Sequence, residues 1–427
     1  MHNLLRRKRF LPLFIVQFLQ AVNDNLVRYA FIVLLTFTTS YQSSKITALN
    51  SIAIALFIFP YFILSALAGE LADKCNKAII IRWVKCVEIL VMVLVAIGFY
   101  LVNIPLLLFS IFLLGVHSTI FGPIKYAILP QHLQKHELVA GNALIESGTF
   151  FAVLIGILLG SQLYPLAFGR EIVVILGFSL AITGLFVSFY VPQAKAMANQ
   201  RPIQFNIIHL TIDIIYQAYK NKAVFIAILG ISWFWFVAGC YMSLFPEYVK
   251  SVLFASHHVF NYFIILFSIG IAIGTLITSR LQKGEIHARY VPFALILMSV
   301  SMFLFFCVNL FLEPVSQLMS VELGLLDYFH YPIFWFISLM ILLIAVFGGI
   351  YTVPLYAMVQ HLSDQKMCAR MVAANNMINA FFLVVMSVFI SLWVHVLTFS
   401  IISSFLALAV INLLVVLLLV LFKIKRG

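Results

Sequence analysis

The chain has 427 residues, of which 64% are hydrophobic and only 9% charged. A soluble domain carries about 25% charged residues, so a water-facing globular surface is excluded and the chain must meet lipid. The formal net charge of +12 does not indicate nucleic acid. Lys and Arg sit in short clusters between long apolar runs, the pattern of loops on the cytoplasmic side of a membrane.

The chain opens with Arg6-Arg7-Lys8-Arg9 before an apolar stretch, as a signal peptide would. That stretch continues through Asn23-Asp24-Asn25 to about Phe37 without a small-residue cleavage site, so it is predicted to be an uncleaved first span. A spanning helix needs about 20 mainly apolar residues. Such runs fall at 11–38, 46–69, 79–102, 105–126, 138–163 and 171–192, and again at 221–247, 257–279, 290–312, 333–358, 371–396 and 398–422. This predicts an all-α integral membrane protein of twelve transmembrane helices in two six-helix halves, 1–192 and 221–427. A cytoplasmic linker, 193–220, joins them and contains Lys195, Arg201 and the spacing Ile207, Leu210, Ile214, Ile215. It reads either as an amphipathic helix at the inner surface or as a plain linker with some helix.

Orientation follows from the basic residues. With the N-terminus inside, the outward loops hold only Lys45, Arg170 and Lys250, while the remaining loop Lys and Arg fall on the other side. Both termini are therefore expected to be cytoplasmic. The outward loop at 313–332 has Glu313, Glu322 and Asp327 and no basic residue.

The halves repeat. Tyr126-Ala127 and Gln131-His132-Leu133 follow the fourth span, and Tyr356-Ala357 and Gln360-His361-Leu362 follow the tenth. Ala140-Gly141-Asn142 opens the fifth span and Ala373-Ala374-Asn375 opens the eleventh. Duplication of a six-span unit is a common construction among secondary transporters.

Polar groups inside a span are costly and mark functional candidates. Asp24 and Arg28 in the first span lie four residues apart on one face, the favourable order for an ion pair. They read either as a structural pair or as two charges exchangeable for those of a zwitterion. Gly122-Pro123 can kink the end of the fourth span, next to Lys125, which reads as a site cation or as an interfacial snorkeller. Asn142 and Glu146 share a face of the fifth span, with Glu146 about 12 Å into the membrane. Lys125 is its nearest partner by sequence. Glu88 has Lys85 one turn away as a structural partner, and Glu247 falls at the outer boundary. In the second half the in-span polar groups are amides and phenols: Asn375, Asn376, Asn379, Tyr351 and Tyr356. Helix–helix hydrogen bonding is the structural alternative for these amides. Trp233 and Trp235 could contact an acyl chain or simply pack.

Other classes lack their motifs. No G-x-x-x-x-G-K is present for ATP, and no His is followed by Asp after four intervening residues, the acyltransferase pair. Cys75, Cys86, Cys240, Cys307 and Cys368 show no paired framework, so neither disulfide nor metal site nor cofactor is expected.

Gly69, Asp73 and Lys74 after the second span form the loop signature G-x-x-x-D-(R/K) of the major facilitator superfamily, with Cys75-Asn76 where a glycine often lies. The corresponding loop after the eighth span keeps only a shifted Gly274, then Arg280 and Lys283. In that superfamily Gly69, Asp73 and Lys74 would support an inter-helix gate. A closer resemblance joins Asn23-Asp24-Asn25, the segment Gly122-Pro123-Ile124-Lys125-Tyr126-Ala127-Ile128-Leu129-Pro130, the run from Leu138 to Glu146, and Val353-Pro354-Leu355-Tyr356-Ala357. Together these resemble the bacterial lysophospholipid transporter family.

That resemblance implies inward movement of lysophospholipids, chiefly lysophosphatidylethanolamine, across the bacterial inner membrane for re-acylation by alternating access. It points to Asp24, Asn25, Lys125, Asn142 and Glu146 as binding residues, with Arg28 beside them. The chain would act as a monomer among membrane lipid, with a separate acyltransferase and acyl-carrier-protein synthetase as partner. The alternative is a facilitator for another amphipathic or hydrophilic solute, such as a drug or a siderophore.

Overall fold

The structure is a computed structural model describing residues 4–35, 43–196, 206–312 and 323–421. Glu313, Glu322 and Arg201 lie outside the described residues. Six long helices come first: α1 (Leu11–Val33), α2 (Ser43–Lys74), α3 (Lys77–Tyr100), α4 (Ile104–Ala127), α5 (Leu138–Leu163) and α6 (Gly169–Ser188). A shorter helix, α7 (Ile207–Lys220), falls in the linker stretch. Six more follow: α8 (Lys222–Glu247), α9 (His257–Leu281), α10 (Val291–Leu310), α11 (Pro332–Leu362), α12 (Cys368–Ile390) and α13 (Ile401–Leu421). The twelve long helices fall in the order of the twelve expected runs. Among the described residues, nine helices are long and apolar enough to cross a membrane by length and composition. Leu11–Val33 is not one of them, since Gln17, Gln20, Asn23, Asp24, Asn25 and Arg28 dilute its apolar content.

Helix starts are written in asparagine. Asn76 accepts from the Ala78 amide at 3.1 Å, Asn103 from Leu106 at 3.0 Å, Asn206 from His209 at 3.1 Å and Asn221 from Val224 at 3.3 Å. Each satisfies one of the amides that a helix N-terminus leaves open. α2, α4, α8 and α11 each contain a proline, at Pro60, Pro123, Pro246 and Pro354. Each removes one helical hydrogen bond and favours a bend. α2 runs to Lys74, so Gly69, Asp73 and Lys74 lie on its last turns rather than in a loop. The nearly fused last two spans are separated by a π-helical turn at Ser391–Val396 before α13 begins at Ile401.

Close helix contacts depend on missing side chains. α1 packs along α5, where a Cβ at Gly156 would stand 2.5 Å from the Val22 carbonyl oxygen. α9 packs along α11, and a Cβ at Gly274 would stand 2.0 Å from the Val346 carbonyl. Small residues that let backbones approach are the usual means of helix association where lipid removes the hydrophobic drive. The first and last sets of six meet through α2 against α12 and α5 against α9.

Candidate functional site

α1 and α4 place Asp24 and Ser118 face to face. The Ser118 hydroxyl donates to Asp24 Oδ2 at 2.5 Å and receives from Gln20 Nε2 at 3.0 Å. Asp24 is buried, and its Oδ1 has no hydrogen-bond partner among the described residues. One carboxylate oxygen is thus fixed, and the other is buried and unpartnered among the described residues. The expected ion pair of Asp24 with Arg28 is not formed. Arg28 lies within electrostatic range of Asp24, but its guanidinium sits 4.5 Å from the ring centroid of Phe57 on α2. Four-residue spacing aligned the two backbones; the neighbouring helices drew the side chains apart. Asn25 donates to the Ala21 carbonyl of its own helix at 2.8 Å and packs against α5, which accounts for it structurally.

A buried polar network stands behind Asp24. Lys85 contacts Glu88 at 2.6 Å and Gln20 Oε1 at 3.1 Å, and Asn23 Nδ2 donates to Glu88 Oε1 at 2.9 Å. His117 Nε2 lies 3.4 Å from Glu88 Oε2. Lys85 and Glu88 thus form the structural pair that their spacing suggested. Gln20, His117 and Ser118 carry no sequence signal of their own. Only the packing of α1, α3 and α4 joins them.

Glu146 finds a different partner from the one its sequence position suggested. It accepts a hydrogen bond from the Tyr126 hydroxyl, whereas Lys125 is not within 4 Å of it among the described ion pairs. The Lys125 ammonium sits 4.9 Å from the Tyr126 ring centroid, within electrostatic range of both Glu146 and Asp24. Tyr126 in turn stacks on Tyr356 of α11, with centroids 4.9 Å apart and planes 8° apart. Trp235 Nε1 donates to the Tyr356 hydroxyl at 3.2 Å, and its ring stacks on Phe150 of α5 at 6.2 Å. Asn375 is buried beside the Tyr356 hydroxyl. Asn376 reaches Gly122, where an added Cβ would stand 3.0 Å from its Nδ2.

Three expected binding residues belong to the framework. Trp233 donates to Asn412 Oδ1 at 2.6 Å inside the last six helices. Tyr351, fully buried, donates to the Gly230 carbonyl at 2.8 Å. Asn379 accepts from Ser232 at 2.6 Å, tying α12 to α8. Trp233 and Trp235 are two residues apart, about 200° around a helix, so one facing the site sends the other into the core.

Two joints link the helix sets at the end of the bundle where α7 lies. Asp73 Oδ1 accepts from the Ala369 amide at 3.0 Å; its Oδ2 accepts from the Arg370 amide at 3.1 Å and from Arg370 Nε at 3.3 Å. An acid of α2 therefore caps the N-terminus of α12 from outside, matching its open amides and its dipole. Glu70 lies 3.8 Å from Arg370 and pairs with Lys74. Gly69 lets the helices close, since a Cβ there would stand 2.7 Å from the Ala373 Cβ. Asn142 and Gln360 form the second joint by exchanging amide hydrogen bonds at 2.7 and 2.8 Å. Asn142 thus closes α5 onto α11. Arg370 and Gln360 escaped sequence reasoning because their partners lie in the other half of the chain.

The fold and this central polar site define a multi-pass membrane transporter. Residues 13–326 match the Major Facilitator Superfamily, and the chain belongs to that family. It is similar to the lysophospholipid transporters LplT of Escherichia coli (strain SE11) and Shigella boydii serotype 4 (strain Sb227). Each is 26% identical over 352 residues, covering 81% of this chain and 78% of the relative. These relatives bear out the resemblance to the lysophospholipid transporter family. The fold is similar to that of a bacterial homologue of the iron transporter ferroportin in its outward-facing state, with a TM-score of 0.70 at 15% identity, covering 96% of this chain and 98% of that one. The human organic anion transporter MFSD10 (TETRAN) gives a TM-score of 0.68 at 13% identity, covering 96% of this chain and 99% of that one.

Proposed function

We propose that the protein carries lysophospholipids, chiefly lysophosphatidylethanolamine, inward across the bacterial inner membrane by alternating access, with both termini in the cytoplasm. The reading rests on one observation above all. Asp24 has a buried carboxylate oxygen with no hydrogen-bond partner among the described residues, while Arg28 and Lys125 lie within electrostatic range of Asp24, without a carboxylate in contact among the described ion pairs. A zwitterionic head fits this pattern: its ammonium on Asp24, its phosphate between Arg28 and Lys125. A guanidinium can hold two phosphate oxygens, and an ammonium acts as a compact point charge. Glu146, held by Tyr126, tunes the charge beside Lys125. Trp235, Tyr356 and Phe150 supply an apolar wall for the start of the acyl chain, with Asn375 and Asn376 at its edge.

In this reading the Asp73–Arg370 and Asn142–Gln360 joints are the cytoplasmic gate, and Gly69 and Lys74 belong to it. The six-helix units 1–192 and 221–427 would rock about the site, tethered by 193–220. A separate acyltransferase and acyl-carrier-protein synthetase would consume the delivered lipid.

The test is uptake of labelled lysophosphatidylethanolamine into right-side-out and inverted vesicles. Inward flux that is lost in Asp24→Ala, with normal membrane expression, is the expected result. Equal flux in Asp24→Ala and the parent, or carriage of unrelated solutes that lysophospholipid does not inhibit, overturns the reading.

A further inference from the structure

Helix α7 has three different faces. At about 100° per residue, Leu210, Ile214 and Ala218 form one stripe, buried against the bundle where α7 packs on α2, α8 and α12. His209, Asp213, Gln217 and Lys220 form a second, polar stripe. Ile208, Ile212, Ile215, Tyr216 and Tyr219 form a third, which is apolar and exposed, Ile208 to 74% and Ile212 to 64%. A helix lying between protein and water needs one apolar face. A second apolar face, set apart from the first, calls for a second apolar neighbour.

Two observations identify that neighbour as lipid. The first is position. α7 packs on α2 and α12, and farther along both helices large apolar side chains are exposed: Ile52, Phe59 and Phe62 on α2, Phe381, Val384 and Val388 on α12. In a multi-pass membrane protein such surface meets acyl chains, so α7 lies at one end of a lipid-facing pair of helices. The second is charge. Lys220, on the adjoining polar stripe, and Lys222, at the start of α8, are exposed beside the end of α7, and the Lys220 ammonium sits 4.5 Å from the Tyr216 ring centroid. Aromatic and basic residues side by side mark the headgroup level of a bilayer.

We propose that α7 lies in the membrane interface, its Ile208–Tyr219 stripe seated among headgroups and upper acyl chains, with Lys220 and Lys222 on anionic headgroups. The helix is then a lipid-bound strut under the α2–α12 seam. It meets α12, whose first turn holds the Asp73–Arg370 joint, so the lipid surface bears directly on the linker end of that seam. A helix placed this way has water on one side, protein on the second and lipid on the third, which accounts for all three stripes.

The test uses the full-length protein in vesicles of phosphatidylethanolamine and phosphatidylglycerol. Single nitroxide labels are attached at Ile212→Cys, Ile215→Cys and His209→Cys, each in a transport-competent background whose five native cysteines are replaced by serine or alanine. Collision with oxygen, which concentrates in lipid, is compared with collision with a water-soluble nickel chelate. The oxygen-to-nickel ratio should be several-fold higher at Ile212→Cys and Ile215→Cys than at His209→Cys. Equal ratios at all three sites overturn the proposal by placing the stripe in water. Shielding of Ile212→Cys and Ile215→Cys from both reagents also overturns it, because protein, such as a second copy, would then cover the face. Proper folding of each variant is established by its elution with the parent in detergent.

Discussion

Tyr126 and Tyr356 occupy the same place in the two halves of the repeated sequence and stack on each other, with ring centroids 4.9 Å apart and planes 8° apart. Each is engaged by its surroundings: Tyr126 donates to Glu146, and Tyr356 accepts from Trp235. Duplication thus put equivalent side chains on both sides of the site, where they meet ring to ring. An aromatic pair contributes about 0.5–1.5 kcal/mol beyond its burial. Tyr356→Leu keeps an apolar side chain but removes the stack, and Tyr356→Phe, which loses only the hydroxyl that accepts from Trp235, is its control. Tyr356→Leu should shift the closed-to-open ratio of the linker end by about two- to tenfold toward open, read as a longer distance between spin labels on α4 and α11. An unchanged distance distribution would show that the stack does not help close that end.

The Asp73 cap on α12 yields a second expectation. Loss of an N-cap costs about 0.5–2 kcal/mol. Asp73→Ala should therefore loosen the linker end and reduce transport, while Asp73→Asn, which can still accept from the Ala369 amide, should retain more. Arg370→Ala should weaken the joint less than Asp73→Ala, because the two backbone bonds survive it. The check is labelling of a cysteine placed at Ala373, which Gly69 covers. Equal labelling in the parent and Asp73→Ala would refute the cap as a closing element.

The Lys85–Glu88 pair should respond in the opposite way to single and double removal. Breaking a buried pair costs about 3–5 kcal/mol, while replacing both charges with apolar groups is often neutral or stabilising. Glu88→Gln should lower the thermal unfolding temperature sharply. Lys85→Met with Glu88→Met should recover much of that loss. By contrast, Asp24→Ala and Arg28→Ala should couple more weakly in stability than the Lys85–Glu88 pair, since they attract only at a distance and share no contact. A strong coupling between Asp24 and Arg28 in such a cycle would contradict the Ser118 and Phe57 partners seen here.

Much of this architecture was legible in the chain. Apolar run lengths gave the helices in order, and Gly69, Asp73 and Lys74 pointed to the joint at the end of α2. Local charge spacing identified Lys85 with Glu88 correctly and misled for Asp24 with Arg28. The difference is physical. Lys85 and Glu88 are shut in together between helices, with Gln20 and Asn23 completing their bonds. Asp24 and Arg28 instead border α4 and α2, which offer a hydroxyl and an aromatic face. The Asn142–Gln360 exchange and the Tyr126–Glu146 bond depend on how helices are set beside one another, and spacing along one helix does not encode that. Trp233 and Trp235 were grouped by adjacency, although helical rotation alone sends them to different faces.

The charge arrangement around Asp24 also predicts what the substrate needs. Burying a methylene gains about 0.8 kcal/mol against water, but a lysophospholipid enters from lipid, where its tail is already out of water. Tail length therefore contributes little to binding, and the head decides. Transport should vary little among acyl chains of different length and fall sharply when the phosphate is removed. In the proposed reading Arg28 and Lys125 hold the phosphate, so Arg28→Ala with Lys125→Ala should abolish that discrimination while Trp235→Ala should not. A two-chain phospholipid should be carried poorly, because its second tail has to find room beside Trp235 and Phe150. The measurement is competition: unlabelled monoacylglycerol, lysophosphatidylethanolamine and diacyl phosphatidylethanolamine against labelled substrate in vesicles. Inhibition by monoacylglycerol equal to that by lysophosphatidylethanolamine would rule out a phosphate-reading site. So would unchanged phosphate discrimination in the Arg28→Ala, Lys125→Ala double variant.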